Sequence, residues 1–152
     1  MSLGDFFPKD FKDIYLNGKI KPGTALLLKV ESFKINHPKY IILTALSSDK
    51  KQICSVVINT EINKNVYKSE KIRKLHIKIR VEEHDFLKYD SYINCTQLLE
   101  YSVKEIEKFI KEKPERVLGT VSEEILKKIH NTLTFAETID NKTKKKYGFA
   151  LK

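Results

Sequence analysis

Apolar positions recur along this chain with two periods. Leu26, Leu28 and Val30 alternate with Leu27, Lys29 and Glu31. From Lys74 to Val81, Leu75, Ile77, Ile79 and Val81 alternate with Lys74, His76, Lys78 and Arg80. Successive side chains of a strand point to opposite faces, so a period of two predicts strands. The run "YIILTAL" at 40–46 is apolar on both faces, as expected of a strand buried in a barrel or sandwich. "QICSVVINT" at 52–60 is rich in branched residues that suit a pleated surface. "KPGT" at 21–24 holds the Pro-Gly pair of a type II turn, and "SSDKK" closes a hairpin. "DSYINCTQLL" at 90–99 supplies a last strand or two, and the polar stretch 61–72 reads as a long loop.

Helical spacing appears elsewhere. Phe11, Ile14 and Tyr15, with Asn17-Gly18 as a stop, predict a short N-terminal helix over 8–17. Ser102 and Glu105 form a capping-box pattern ahead of Val103, Ile106, Phe109 and Ile110, and Pro114 ends that helix. A short strand is expected over 116–118 and a turn at Gly119. Thr120 with Glu123 repeats the capping box before Ile125, Leu126, Ile129, Leu133 and Ala136, a second amphipathic helix ending near Ile139. The lysine-rich tail over 140–152 is expected to be mobile. Strands followed by capped helices describe an α+β domain, a small barrel over 20–139 with an N-terminal helical extension over 1–19 and two C-terminal helices.

Composition narrows this further. The 152 residues suit one domain with a hydrophobic core, and 41% hydrophobic with 32% charged residues is ordinary for a globule. The net charge of +9 favours anionic partners. Only three of the 29 basic side chains are arginines, however, and diffuse lysine also serves solubility. Cys54 and Cys95 stand in apolar stretches without paired spacing, which predicts buried thiols. No window approaches the ~20 apolar residues of a membrane span, and no secretory leader is seen, so a cytoplasmic protein is expected.

Most catalytic signatures are absent. The four histidines are scattered, and neither H-E-x-x-H nor paired cysteines occur, so no metal site and no cofactor are expected. "EEHD" at 82–85 is the one cation candidate and reads more simply as a charged loop. No Walker loop, G-x-G-x-x-G or G-x-S-x-G is present. His130 borders the apolar face of the last helix and reads as a packed histidine. The stripe Lys74, His76, Lys78 and Arg80, at a spacing of ~7 Å, suits a single-stranded phosphate backbone or a solvated strand face.

The order of "IKPGTALLLKV", "HPKYIIL", "SVVINT", "DSYINCTQLLEYSVKEI" and "VLGTVSEEILKKIHNTL" resembles the PemK/MazF family of toxin endoribonucleases over roughly residues 20–139. The resemblance implies an SH3-like barrel, a homodimer, and metal-independent cleavage of single-stranded RNA by attack of a ribose 2′-hydroxyl on the adjacent phosphate. It places His37 where the family carries arginine, Pro38 at the family proline and Thr60 at the family threonine. Histidine offers proton exchange but neither the permanent charge nor the bidentate fork of arginine. Lys39, on the same face of an extended segment, would restore the charge. The expected catalytic set is therefore His37, Thr60 and Lys39, with Lys74, His76, Lys78 and Arg80 guiding RNA. The alternatives are a homologue without catalysis that binds RNA or an acidic antitoxin-like protein, and an adaptor that uses the barrel for protein contacts.

Overall fold

The computed structural model describes residues 20–28, 39–60, 62 and 67–149. The expected helix over 8–17, Val30, His37 and Pro38 lie outside the described residues. Among these residues six strands form one antiparallel sheet: β1 (Thr24–Leu28), β2 (Lys39–Leu46), β3 (Gln52–Asn59), β4 (His76–Ile79), β5 (Ser91–Ser102) and β6 (Val117–Thr120). Their order across the sheet is β4-β5-β3-β2-β1-β6, so β4 and β6 are its edges and the sheet curls into a half-barrel. Among the described residues four α-helices accompany it: α1 (Glu70–Arg73), α2 (Val103–Glu112), α3 (Glu123–Phe135) and α4 (Asn141–Tyr147).

Local chemistry sets the turns. Thr24 N donates to Lys21 O at 3.1 Å, closing a turn in which Gly23 takes φ of 98°, a conformation strained for any residue with a side chain. In the β2–β3 hairpin, Asp49 Oδ1 accepts from Ser47 Oγ at 2.6 Å and from Lys51 N at 3.0 Å, which pulls the Asp49 carboxyl below its usual range. The expected 90–99 strand is a single long strand, β5, bent by a bulge. Val57 pairs with Asn94 and Ser55 with Leu99, so Cys95 to Leu98 stand opposite Val56 alone. Such bulges bend a strand and strengthen its twist, which is how an open sheet curls. A second bulge at Thr44 in β2 frees its carbonyl, and His130 Nε2 donates to it at 2.8 Å.

Both faces of the sheet are covered. Leu26, Ile41, Leu43 and Val57 meet Ile106 and Ile110 of α2 on one face. Ile42, Val56, Ile79 and Ile93 meet Ile125, Ile129 and Leu133 of α3 on the other. Cys54 and Cys95 are buried free thiols, and burial pushes both up to about 12.

Ser102 Oγ accepts from Glu105 N at 3.0 Å and the expected capping box forms. The second cap differs. Thr120 pairs with Thr24 at the end of β6, and Ser122 is the residue that caps α3, accepting from Ile125 N at 3.2 Å. The helix begins at Glu123, so the N-cap position falls on Ser122 and not on Thr120. Gly119 is no turn either: it pairs with Ala25 within β6, and a Cβ there would meet the Phe86 ring at 3.3 Å. The strand expected at 116–118 begins at Val117, because Arg116 closes a 3-10 turn and donates to Phe109 O at 3.1 Å.

The tail also departs from expectation. Residues 141–147 are helical, capped by Asp140, whose side chain accepts from Thr143 N at 2.7 Å, and ended by Gly148 in the left-handed region. Tyr147 and Phe149 are buried against the α3 side of the core. Lys144, also buried, donates to Thr134 O at 3.0 Å. A lysine beside the last carbonyls of a helix is favoured by the helix dipole, so α4 is docked by a cation and two aromatic anchors.

Candidate functional site

Three strand ends and one loop converge on a cleft of about 260 Å³. β2 brings Lys39 at its first residue, β3 brings Asn59 and then Thr60, and Lys88, Tyr89 and Ser91 come from the segment entering β5. Tyr40, Ile58 and Leu87 supply its apolar walls. The antiparallel register explains the meeting. Tyr40 pairs with Ile58 and Asn59 with Tyr92, so the start of β2, the end of β3 and the start of β5 share one rim of the sheet.

Polar groups at this rim are held by neighbours. Lys39 Nζ donates to Asn59 Oδ1 at 3.0 Å, which orients the ammonium and leaves two of its three hydrogens for another acceptor. Ser91 Oγ donates to Tyr89 O at 2.9 Å, and Asp90 Oδ1 accepts from Val81 N at 2.9 Å. Thr60, Lys88 and Tyr89 are exposed, and no carboxylate is among the described residues that line the cleft. The arrangement is a cation-bearing pocket with a hydroxyl at Thr60, suited to an anion of phosphate size.

Of the expected catalytic set, Lys39 and Thr60 therefore share one cleft, and His37 lies outside the described residues. The basic stripe fares differently. Strand β4 covers only His76–Ile79, and Lys74 sits in a helical conformation at the end of α1, out of line with the others. His76 packs edge-on against the Tyr67 ring at 4.6 Å, and its Nδ1 donates to Arg73 O at 3.1 Å. Its Nε2 is buried without a partner, and burial lowers its pKa. It is therefore neutral at pH 7 and adds no charge. The stretch 61–72, expected to be all loop, ends in α1, and Arg73 donates to Tyr67 O and Lys68 O there.

Lys78 and Arg80 line a separate, larger cleft of about 410 Å³ between β4 and the start of α3, together with Lys128, Ser122, Glu83 and Glu124. Cations and carboxylates alternate around it: Arg80 pairs with Glu82 at 3.5 Å and Lys128 with Glu124 at 3.7 Å. β4 is also an edge strand, where lysine and arginine oppose pairing with a second sheet. In the "EEHD" segment, Glu82, Glu83 and Asp85 are exposed while His84 turns into the core, and among the described residues no three such side chains gather to hold a metal.

Sequence reasoning passed over Lys88, Tyr89 and Ser91. Their signal was the stretch "LKYDS", in which one apolar residue that can anchor is followed by a lysine and an aromatic with nothing to pack against. His130 is a packed histidine, as expected, with its ring 5.4 Å from that of Phe149. No helix among the described residues is long and apolar enough to cross a membrane. No protein-family model matches the sequence, and a search of curated proteins finds no match.

Proposed function

We propose that this protein is a PemK/MazF-like endoribonuclease acting on single-stranded RNA, with the cleft between Lys39, Thr60 and Lys88 as its phosphate site. The observation that carries the reading is the meeting of Lys39 and Thr60, distant in sequence, in a cleft whose described lining bears two lysines and no carboxylate. An SH3-like barrel, a homodimer, an acidic antitoxin-like partner and a cytoplasmic setting belong to the same reading.

The chemistry is an internal transesterification. The 2′-oxygen attacks the adjacent phosphorus, the bond to the 5′-oxygen breaks, and the products are a 2′,3′-cyclic phosphate and a 5′-hydroxyl. One proton leaves the 2′-hydroxyl and one reaches the departing 5′-oxygen. His37, with an imidazole able to exchange protons near neutral pH, is assigned that traffic. Lys39, steadied by Asn59, and the Thr60 hydroxyl oppose the negative charge that grows on the phosphorane oxygens.

Incubation of the protein with single-stranded RNA in EDTA tests this. Fragments ending in cyclic phosphate and 5′-hydroxyl are expected, lost in His37→Ala and Thr60→Ala. Intact RNA that is nonetheless bound, with affinity lost in Lys39→Ala, overturns catalysis and leaves a binding module. The tethering of Lys39 by Asn59, which serves a ground-state contact equally well, is the feature that favours that second reading.

A further inference from the structure

The segment from Arg80 to Ser91 divides its side chains between two tasks. His84 and Leu87 point into the core, 5% and 6% exposed, and Phe86 packs partly against it. Leu87 N donates to His84 O at 3.1 Å, which closes the turn between those anchors. Asp90 holds Val81 N, and Ser91 holds the carbonyl of Tyr89. The Tyr89 side chain takes no part in this anchoring. Its side chain is 68% exposed, has no ring or cation partner among the described residues, and borders the cleft that holds Lys39 and Thr60.

A large aromatic left in water on a backbone pinned from both sides is placed rather than merely tolerated. Val81 and Phe135, the other large exposed apolar side chains among the described residues, do not line this cleft. A tyrosine has few rotatable bonds, so a fixed backbone leaves little entropy to lose when a flat partner settles on the ring. Beside two lysines, the partner that offers a phosphate and a flat π-face together is an unpaired nucleotide. A base inside a duplex keeps its faces stacked on its neighbours and cannot take this position.

We infer that Tyr89 is the stacking platform for an unpaired nucleobase whose phosphate lies at Lys39, so that this residue selects single-stranded over duplex RNA. The inference rests on the RNA reading proposed above and can fail without it. The closing experiment measures binding by fluorescence anisotropy at one salt concentration, with three probes of equal length, all 2′-O-methylated so that no cleavage intervenes. These are single-stranded RNA, the same strand without bases, and a duplex. Tyr89→Ala is expected to weaken single-stranded binding about 5- to 150-fold, the span of one lost base stack. Tyr89→Trp restores it, and the strand without bases binds both variants as it binds the wild type. Equal losses on the probes with and without bases, or no loss at all in Tyr89→Ala while Lys39→Ala still weakens binding, overturn the inference and leave the RNA reading standing. A wild type that binds no probe better than Lys39→Ala does sinks both. Because the side chain is exposed, thermal unfolding of Tyr89→Ala should match that of the wild type.

Discussion

The cleft where β2, β3 and β5 meet is smaller than the one beside β4, about 260 Å³ against 410 Å³, yet the two differ more in pairing than in size. Around the larger one two of the three basic groups are paired with carboxylates, Arg80 with Glu82 and Lys128 with Glu124, and Glu83 stands in the same lining. Around the smaller one Lys39 is steadied by a neutral amide, Asn59, and the described lining has no acid. An ammonium bound to an amide keeps its full charge for a ligand, whereas one beside a carboxylate has part of its field cancelled. Volume and basic residue count would have favoured the β4 cleft. Compensation of charge favours the other.

The hardest test of that contrast is catalytic. His37→Ala should lower the single-turnover cleavage rate about 10²- to 10⁴-fold and Thr60→Ala about 10²-fold, while Arg80→Ala and Lys128→Ala stay within a few-fold of wild type. A larger loss at Arg80 than at Thr60 would move the active site to the other cleft.

Affinity gives the next effect. Replacing Lys39 and Lys88 together should reduce the slope of log K against log salt by about 1.4 units, roughly 0.7 per phosphate contact of a single strand, and replacing Arg80 and Lys128 by less than half of that. Equal slopes would erase the distinction drawn here.

His76 sharpens the comparison through pH. Its folded pKa lies below its ordinary value of 6.5 because burial disfavours the imidazolium, so the unfolded chain binds the proton more readily. Stability is therefore full above about pH 6.5 and falls as pH drops from there towards the folded pKa. His76→Gln should flatten that decline in chemical denaturation, and the change in RNA affinity between about pH 7.5 and 6.5 should be the same in His76→Gln as in the wild type. A gain lost in His76→Gln would restore the β4 stripe as an RNA track. The smallest effect is expected at the exposed pair Lys128–Glu124, at i,i+4 on α3: a double-mutant cycle should give only a few tenths of a kcal/mol.

How far the sequence could be read depended on whether a signal was local. The capping box at Ser102 and Glu105 needs only three residues' spacing, and it forms. Thr120 and Glu123 have the same spacing and do not, because α3 begins at Glu123, which makes Glu123 its first residue and leaves Ser122 as the cap. The tail 140–152 looked solvated from its lysines alone. A cap at Asp140, a stop at Gly148 and two aromatics that find the α3 side of the core make most of it an ordered helix. The β4 stripe shows the converse: alternation was real for Lys78 and Ile79, but α1 takes Lys74 out of line and Tyr67 helps bury His76.

Residue order by itself determined β1, β2, β3 and β5, the helices α2 and α3, the buried thiols and the excess of positive charge, because these follow from periodicity and composition within short windows. Only the folded sheet decided that Lys39 and Thr60 share a rim with Lys88 and Tyr89, and that Lys78 and Arg80 stand among carboxylates. Those facts depend on strand register and on which loops reach which edge, and such long-range pairings leave no mark on neighbouring residues.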